Sequence, residues 1–310
     1  MPSPVTAVHR FQIILLLVLA CVVLVAVGRE QEKRSPSSKI QVTTSFYPLG
    51  DFAKQIGGDR ITVTTVTPSG AEPHEYEPTP SDLTAVDQAK LFLYNGADLD
   101  LWADKIAPRL EQKGVIAIKA STLVDLQAAA GTTNGTLDPH IWLDPVRVKK
   151  ISAAIHDALV QIDPQHKNVY DNGIAALQFQ LDTLDAAYRD GLAHCTTKTI
   201  VTSHAAFGYL AARYHLDQVY LSGIAPDEEP SAQRLATVAT TVQHDHISTI
   251  FFESLVSSKF ADTIATEVGA KTAVLNPIEG LTADQIKHGD TYLTIMYQNL
   301  TALRRALQCS

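Results

Sequence analysis

The 310-residue chain lacks the sequence features that mark several functional classes. Its body has no cluster of lysine and arginine, and the net charge is −8, so nucleic acid is not expected as a partner. It contains no His-Glu-x-x-His motif, no Gly-x-Ser-x-Gly elbow and no phosphate-binding glycine loop. With 45% hydrophobic and 19% charged residues, the composition is that of a globular protein without an evident catalytic motif.

Only one long apolar run occurs, at residues 11–27, and polar residues 29–38 follow it. The run is short for a spanning helix but has the length of an export-signal core. Three outcomes stay open: lipidation at Cys21 within a lipobox-like segment, cleavage at a small-x-small site ending at Gly28, or an uncleaved membrane anchor. In each case residues 1–28 are a leader, residues 29–38 are a tether, and the body lies outside the cytoplasm.

Cysteine is equally scarce, since only Cys195 and Cys309 accompany Cys21. An exported location permits a disulfide, and a bridge between Cys195 and Cys309 would join the C-terminal helix to the second half of the chain. In the chain-entropy model, so long a closed loop contributes about 4–5 kcal/mol before strain is subtracted. The alternative is a pair of free thiols.

Three histidines stand in short, distinctive contexts. His74 ends Gly-Ala-Glu-Pro-His, His140 lies in Asp-Pro-His-Ile-Trp-Leu-Asp-Pro, and His204 begins His-Ala-Ala-Phe-Gly-Tyr after a serine. Neutral imidazole is the commonest protein ligand for a borderline metal such as zinc. Because intervals of 66 and 64 residues separate these histidines, only a folded structure can bring them together.

Apolar β-type runs alternate with helical patterns, as βα units require. The predicted strands are residues 40–44, 61–66, 91–94 and 115–118, followed by 199–202, 218–221, 249–252 and 272–275. Predicted helices include 47–56, 81–89 and 231–244, with Ser81 and Ser231 as N-caps. Nearly continuous apolar strands indicate mostly parallel sheets covered on both faces. We therefore predict an α/β fold with two four-stranded lobes.

Residues 146–192 carry no strand signal, and Pro164 divides this stretch. Asp163 is predicted to cap a helix of about 28 residues, which would be about 40 Å long and would act as a rigid strut. The predicted organisation of the body is an N-terminal lobe at 39–162, the connecting helix at 163–192 and a C-terminal lobe at 193–310.

Ligands of open α/β sheets gather beyond the carboxyl ends of the strands, where His74 and His204 are predicted to lie. A further loop, Asn-Pro-Ile-Glu-Gly-Leu-Thr, follows the last strand and offers Glu279. His140, in a Pro-bounded loop, would complete a set with two ligands from each lobe; if Glu279 falls short, a water is the fourth ligand. Three imidazoles and one carboxylate suit tetrahedral Zn²⁺, and suit Mn²⁺ less well without a second carboxylate.

Other residues have two interpretations each. Glu253 either accepts a hydrogen bond from a ligand imidazole or is a plain polar residue at a strand end. Trp142 and Phe207 either keep water out of the site or simply pack in the core. The pair His244 and His246 is better explained by a solvated turn than by a metal site. The remaining histidines lack a ligand-like context; they are His156, His166, His194, His215 and His288.

These motifs, from about Lys39 to Cys309, resemble the zinc/manganese solute-binding proteins of bacterial ABC importers. The resemblance implies a two-lobed fold with a rigid connecting helix and a metal at the lobe interface. It implies that His74, His140 and His204 are metal ligands and that Glu279 matches the carboxylate of zinc-type members. Manganese-type members resemble a set with a carboxylate in the third histidine's place.

The implied function is capture of Zn²⁺ outside the cytoplasm and delivery to an ABC-transporter permease by a monomeric protein that is not an enzyme. A manganese-binding member, a secreted zinc hydrolase and a surface adhesin are the alternatives. Two departures from the family pattern stand out. Residues 125–137 contain no histidine, whereas zinc-type members often carry a His-rich loop there, and Pro73 holds a position where some relatives have a carboxylate.

Overall fold

The computed structural model describes residues 39–132 and 135–310. Residues Ile40–Ser310 form one compact unit. Cys21, the predicted leader and the predicted tether lie outside the described residues. Across the described ranges, none of the helices combines the length and the apolar character that a membrane span needs.

Eight strands in the described chain form two four-stranded sheets in which every pairing is parallel. They are β1 (Ile40–Thr44), β2 (Ile61–Thr65), β3 (Leu91–Tyr94) and β4 (Ile116–Lys119), then β5 (Thr199–Thr202), β6 (Asp217–Tyr220), β7 (Thr249–Phe252) and β8 (Lys271–Val274). The strand orders, β2-β1-β3-β4 and β6-β5-β7-β8, match each other. The predicted two-lobed α/β fold is therefore confirmed.

Ten α-helices in the described residues flank these sheets. They are α1 (Tyr47–Gly57), α2 (Pro80–Asp87), α3 (Leu101–Gln112), α4 (Pro145–Ile162), α5 (Lys167–Leu192), α6 (Gly208–Tyr214), α7 (Ala232–His244), α8 (Lys259–Val268), α9 (Ala283–His288) and α10 (Tyr292–Ala306). Ser231 caps α7, as predicted. Ser81 does not cap α2, because Thr79 exchanges capping bonds with Asp82 and Pro80 occupies the first turn.

The long helix α5 has 26 residues and is therefore about 39 Å long. Leu177, Leu181 and Leu184 line its buried face. Asp163 does not cap α5, because a 3₁₀ turn at Pro164–His166 separates them. The carboxylate of Asp163 instead lies 2.7 Å from His166 Nδ1 and accepts a hydrogen bond from the Tyr170 hydroxyl at 2.8 Å.

The largest hydrophobic core contains residues of both sheets and of the long helix. Smaller cores fill the second lobe, around Ile250, and the first lobe, around Phe92. Because one core is shared between the lobes, moving them apart as rigid bodies would expose buried apolar surface. The division at residues 162/163 and 192/193 stays a prediction.

Cys195 and Cys309 are joined in a disulfide, as predicted. Backbone hydrogen bonds flank the bridge, from Thr196 N to Leu307 O at 3.1 Å and from Ser310 N to His194 O at 3.0 Å. The bridge ties the segment that leads into β5 to the residues that follow α10, and so closes the second lobe at its far end.

Candidate metal centre

The four predicted ligands lie together at the junction of the two lobes. His74 is in the loop between β2 and α2, and Glu279 is in the loop between β8 and α9. His140 directly precedes the 3₁₀ turn Ile141–Leu143, and His204 follows β5 by two residues. The side chains of His140, His204 and Glu279 are at most 1% exposed and that of His74 is 8% exposed, so the site is almost closed to solvent.

The ligand atoms are spaced as tetrahedral zinc requires. The Nε2 atom of His140 lies 3.3 Å from Nε2 of His74 and 3.2 Å from Nε2 of His204. Oε1 of Glu279 lies 3.5, 3.3 and 3.5 Å from the Nε2 atoms of His74, His140 and His204. Ligand bonds of about 2.0–2.1 Å in a tetrahedron place the ligand atoms about 3.3–3.4 Å apart. The four side chains form a cage in which these five of the six separations fit that ion, and all four ligand atoms lie within 4.8 Å of one another.

Glu279 Oε1 is buried and has no hydrogen-bond partner among the residues that the structure describes. A buried carboxylate oxygen without a donor is costly, so this atom is one that a cation would stabilise. Burial alone raises the pKa of Glu279, but the three neighbouring imidazoles outweigh it and hold the pKa well below its usual range. The carboxylate is thus kept anionic inside the cage.

Asp138 orients the His140 ring. Its Oδ1 lies 2.8 Å from His140 Nδ1 and accepts a hydrogen bond from His140 N at 2.9 Å. Although burial lowers the pKa of His140, Asp138 and Glu279 raise it, and the net shift is upward. In the neutral ring, a proton on Nδ1 that pairs with this carboxylate leaves the Nε2 lone pair directed at the cage. Asp138 stands in the His140 motif, two residues before His140. That position was the available signal for its orienting role, which was not assigned from the sequence.

Glu253 has the same relation to His204. Its Oε1 lies 2.7 Å from His204 Nδ1 and accepts a hydrogen bond from His204 N at 3.2 Å. Burial lowers the pKa of His204, but Glu253 and Glu279 together raise it well above its ordinary value. Of the two interpretations of Glu253, the structure thus shows the contact with the ligand imidazole rather than a plain strand-end position.

Trp142 and Phe207 are both buried, and Trp142 lies beside the cage. The Trp142 ring centroid is 5.2 Å from that of His140, and its Nε1 donates a hydrogen bond to Pro277 O at 2.7 Å. Trp142 therefore connects the loop of one ligand with the loop of another. Phe207 packs in the shared core, and a role for either ring in keeping water out stays a prediction.

The loop that carries Glu279 is held in an unusual backbone conformation. Ile278 has φ of 62°, in the left-handed region that a β-branched residue rarely adopts. Its N–H donates to Asn276 Oδ1 at 2.7 Å. Asn299 of α10 accepts from Asn276 N at 2.9 Å and donates to Asn276 O at 2.7 Å. These bonds fix the carboxylate's direction, and nothing in the spacing of the sequence indicated Asn299.

Glu72, like Asp138, was given no role from the sequence, and its carboxyl group lies beside His74. Glu72 Oε1 accepts a hydrogen bond from His74 N at 3.2 Å. Burial, together with the negative charge of Glu279, raises the pKa of Glu72 to about 9. Burial beside Glu279 thus favours the protonated form of Glu72, which limits the negative charge next to the cage.

The other histidines remain apart from the cage. His244 is 84% exposed and pairs with Asp245, in agreement with a solvated turn. His156 and His166 lie beside aspartates, at 2.8 Å from Asp171 and 2.7 Å from Asp163. Within residues 39–132 and 135–310, the cage is the one group of three or more histidines, cysteines or carboxylates arranged to hold a metal. If all four side chains bind the metal in a tetrahedron, no position is left for a catalytic water, so the arrangement suits capture of a metal.

Comparison with known proteins gives a consistent assignment. The profile described as "ZnuA: Zinc-uptake complex component A periplasmic" matches residues 42–306. The "High-affinity zinc uptake system protein ZnuA" of Bacillus subtilis (strain 168) is 38% identical over 308 residues, covering 94% of this chain and 97% of that protein. The "Zinc-binding lipoprotein AdcA" of Streptococcus pneumoniae (strain ATCC BAA-255 / R6) is 37% identical over 303 residues, covering 94% of this chain but only 60% of AdcA.

Solved structures agree with these matches. The Zn(II)-bound ZnuA-like domain of Streptococcus pneumoniae AdcA is 40% identical with a TM-score of 0.77, covering 87% of this chain and 99% of that domain. The laminin binding protein Lmb of Streptococcus agalactiae, described as "a bifunctional protein with adhesin and metal transporting activity", is 34% identical with a TM-score of 0.80, covering 87% of this chain and 100% of Lmb.

Proposed function

The chain belongs to the ZnuA family of zinc-uptake components, and from this premise we propose that it captures Zn²⁺ and delivers it to the membrane permease of an ABC importer. Members of this family are solute-binding proteins rather than enzymes. Their role places the body of the chain outside the cytoplasm, which agrees with the apolar run and the disulfide. We propose a monomer, held at the membrane through lipidated Cys21 or an uncleaved leader, or else released by cleavage near Gly28.

The observation that carries the proposal is the cage of three Nε2 atoms and one carboxylate oxygen, in which five of the six separations are 3.2–3.5 Å. Imidazole nitrogen and a single ionised carboxylate are ligands that zinc prefers, whereas manganese favours more oxygen. The Bacillus and pneumococcal relatives, a zinc uptake protein and a zinc-binding lipoprotein, support the same metal. Manganese is the less favoured alternative.

Capture follows from the arrangement of the ligands. Three imidazoles and Glu279 replace the hydration shell of the ion, and any proton held by a ligand is released as the metal binds. Asp138 and Glu253 hold the Nε2 lone pairs of two histidines inward, so little ordering is needed on binding. Because the lobes share one core, the loops rather than whole lobes would move when metal enters or leaves.

Adhesion is a second candidate function, and the likeness to Lmb is the observation that favours it. It does not compete with metal capture, since Lmb is described as having both activities. A solid-phase binding assay with purified laminin tests it, and the metal-free protein shows whether binding needs the ion. A zinc hydrolase is disfavoured because the cage has no open position for water.

The decisive experiment compares His140→Ala with His156→Ala. His156 is a matched control because it lies on α4 and bonds only to aspartates. If a metal-binding free energy of about 10–16 kcal/mol is divided among four ligands, losing one imidazole costs about 3 kcal/mol, or about 100-fold in affinity. Glu279→Ala is expected to cost less, because water can replace an oxygen ligand.

Zinc affinity is measured by competition with a chromophoric chelator, and hydrolytic turnover is measured on the same samples. If His140→Ala bound zinc as tightly as the wild type, the ligand assignment would be wrong. Zinc-dependent turnover by the wild type would instead restore the hydrolase alternative.

A further inference from the structure

The hydroxyl of Tyr209 lies between two backbone groups of the opposite lobe. It donates a hydrogen bond to Asp138 O at 2.8 Å and accepts one from Gln127 N at 3.0 Å. Asp138 and Gln127 are themselves paired, through Asp138 N and Gln127 O at 2.9 Å. Tyr209 is 1% exposed, so neither of its bonds is available to water. Tyr209, five residues after His204, thus fixes the backbone of Asp138, two residues before His140.

Gly208 confines the same aspartate from a second direction. A Cβ atom added to Gly208 would lie 2.6 Å from Oδ2 of Asp138, which is closer than side-chain atoms tolerate. The other oxygen of Asp138 pairs with the His140 ring. Asp138 therefore has its carbonyl held by Tyr209 and its carboxylate packed against Gly208, and both contacts come from consecutive residues of the second lobe.

We propose that Tyr209 is a positioning residue for metal capture, acting through Asp138 on the direction of the His140 ring. This proposal rests on the proposed function. Through Tyr209 and Gly208, the segment that supplies one ligand also aligns a ligand of the other lobe. His140 and His204 are thereby set relative to each other, with their Nε2 atoms 3.2 Å apart.

Removing the Tyr209 oxygen is a clean test because the ring has its own contacts. The guanidinium of Arg147 lies 4.6 Å from the ring centroid, and the ring packs in the shared core. Tyr209→Phe therefore keeps the ring in place and leaves Asp138 O and Gln127 N without their partner. The Asp138 backbone, and with it the His140 ring, then has more freedom.

Tyr188→Phe is the matched control. Tyr188 is fully buried, and its hydroxyl donates to the backbone carbonyl of Met296 at 2.7 Å, joining α5 to α10 away from the ligand loops. We expect Tyr209→Phe to weaken Zn²⁺ binding about tenfold, as changes that act through a ligand's partner do. Tyr188→Phe should leave the affinity unchanged while lowering the melting temperature of the metal-free protein.

Two measurements are made on the full chain: Zn²⁺ affinity by chelator competition, and the visible absorption band of the Co²⁺-loaded protein, which reports ligand arrangement. A weaker affinity and a changed band in Tyr209→Phe support the proposal. The proposal is overturned if Tyr209→Phe has the Zn²⁺ affinity or the Co²⁺ absorption band of the wild type. It is also overturned if Tyr188→Phe loses as much Zn²⁺ affinity as Tyr209→Phe. If wild type itself does not bind Zn²⁺, the proposed function fails as well, so the two failures are distinguishable.

If Tyr209→Phe does not fold, Gly208→Ala tests the same positioning role of the segment. Its added methyl pushes on the Asp138 carboxylate and should also weaken Zn²⁺ binding about tenfold. Gly191→Ala on α5 is its control, because the nearest atom to an added Cβ belongs to the flexible Arg304 side chain, at 3.2 Å. Equal Zn²⁺ affinity of the Gly208→Ala and Gly191→Ala proteins would refute the role of this segment.

Discussion

Two of the three candidate imidazoles have a carboxylate at the nitrogen that faces away from the cage. Asp138 pairs with His140, and Glu253 pairs with His204. Each carboxylate also accepts a hydrogen bond from the backbone N–H of the histidine it orients, so ring and main chain are fixed by one group. This double contact sets the direction of the lone pair more firmly than a side-chain bond alone would.

Removing Glu253 should therefore weaken metal binding without removing a ligand. We expect Glu253→Ala to lower zinc affinity about 10–100-fold, because the His204 ring loses its orientation and its preferred tautomer. Isothermal titration with a competing chelator measures the change. Glu253→Gln, which keeps an acceptor oxygen, should lie between Ala and wild type, and exposed Glu267→Ala on α8 should match wild type. A Glu253→Ala protein with wild-type affinity would contradict the assigned contact.

The four side chains that meet in the cage could be predicted because each stands in a short motif, but most of the groups that orient them could not; their role as metal ligands stays a prediction. Glu253 was suggested by its place after a strand, and Asp138 was overlooked beside the ligand it orients. Asn299 and Tyr209 lie 23 and 71 residues from the groups they hold, Asn276 and Asp138. Such pairings depend on which elements pack together, and a single sequence contains no periodic signal for them.

Among the strands, the predicted bounds were exact for the four central ones. At the edges, β4, β6 and β8 were shifted by one residue and β2 was predicted one residue too long. Strands β1, β3, β5 and β7 have a neighbour on each side, so their apolar runs coincide with their paired residues. Edge strands such as β4 and β8 are only partly buried. Their hydrophobic pattern is weaker, and their ends are set by hydrogen-bonding register instead.

Helix α10 determines the shape of a ligand loop through one side chain, Asn299. We expect Asn299→Leu, similar in volume, to leave Asn276 N–H and C=O unpaired and to destabilise the fold by about 2–4 kcal/mol. Zinc affinity should fall too, because Ile278 can relax from its left-handed conformation and turn Glu279 away. Thermal unfolding and chelator competition measure both effects. The control is Gln298→Leu, because the Gln298 side chain bonds only at the exposed surface. Equal stability and equal zinc affinity of the two variants would exclude a role of Asn299 in shaping the loop.

At the scale of the whole molecule, the metal would join ligands from both lobes across a shared core. A ligand that binds only the folded state stabilises it by about 4.1 kcal/mol when free ligand is at 1,000 times Kd. At about 2–4 °C per kcal/mol for a chain of this size, the melting temperature should rise by about 8–16 °C.

Differential scanning calorimetry with Zn²⁺ and with a chelator measures this shift. Mg²⁺ at the same concentration should leave the melting temperature unchanged, since it prefers oxygen ligands in octahedral geometry. The His140→Ala protein should show little of the zinc effect. An unchanged melting temperature with Zn²⁺ would argue against a metal that bridges the lobes.

The distances between the ligand atoms also select for the size of the bound ion. A calcium ion, with bonds of about 2.3–2.6 Å, would need ligand atoms about 3.8–4.2 Å apart in the same tetrahedron. Five of the six separations in the cage are 3.2–3.5 Å. Widening every edge would move buried loops that are fastened by Trp142, Asn299 and Tyr209 and would open the core beneath them. The packing of residues that do not themselves contact the ion thus disfavours large cations, in addition to the chemical preference of the ligands.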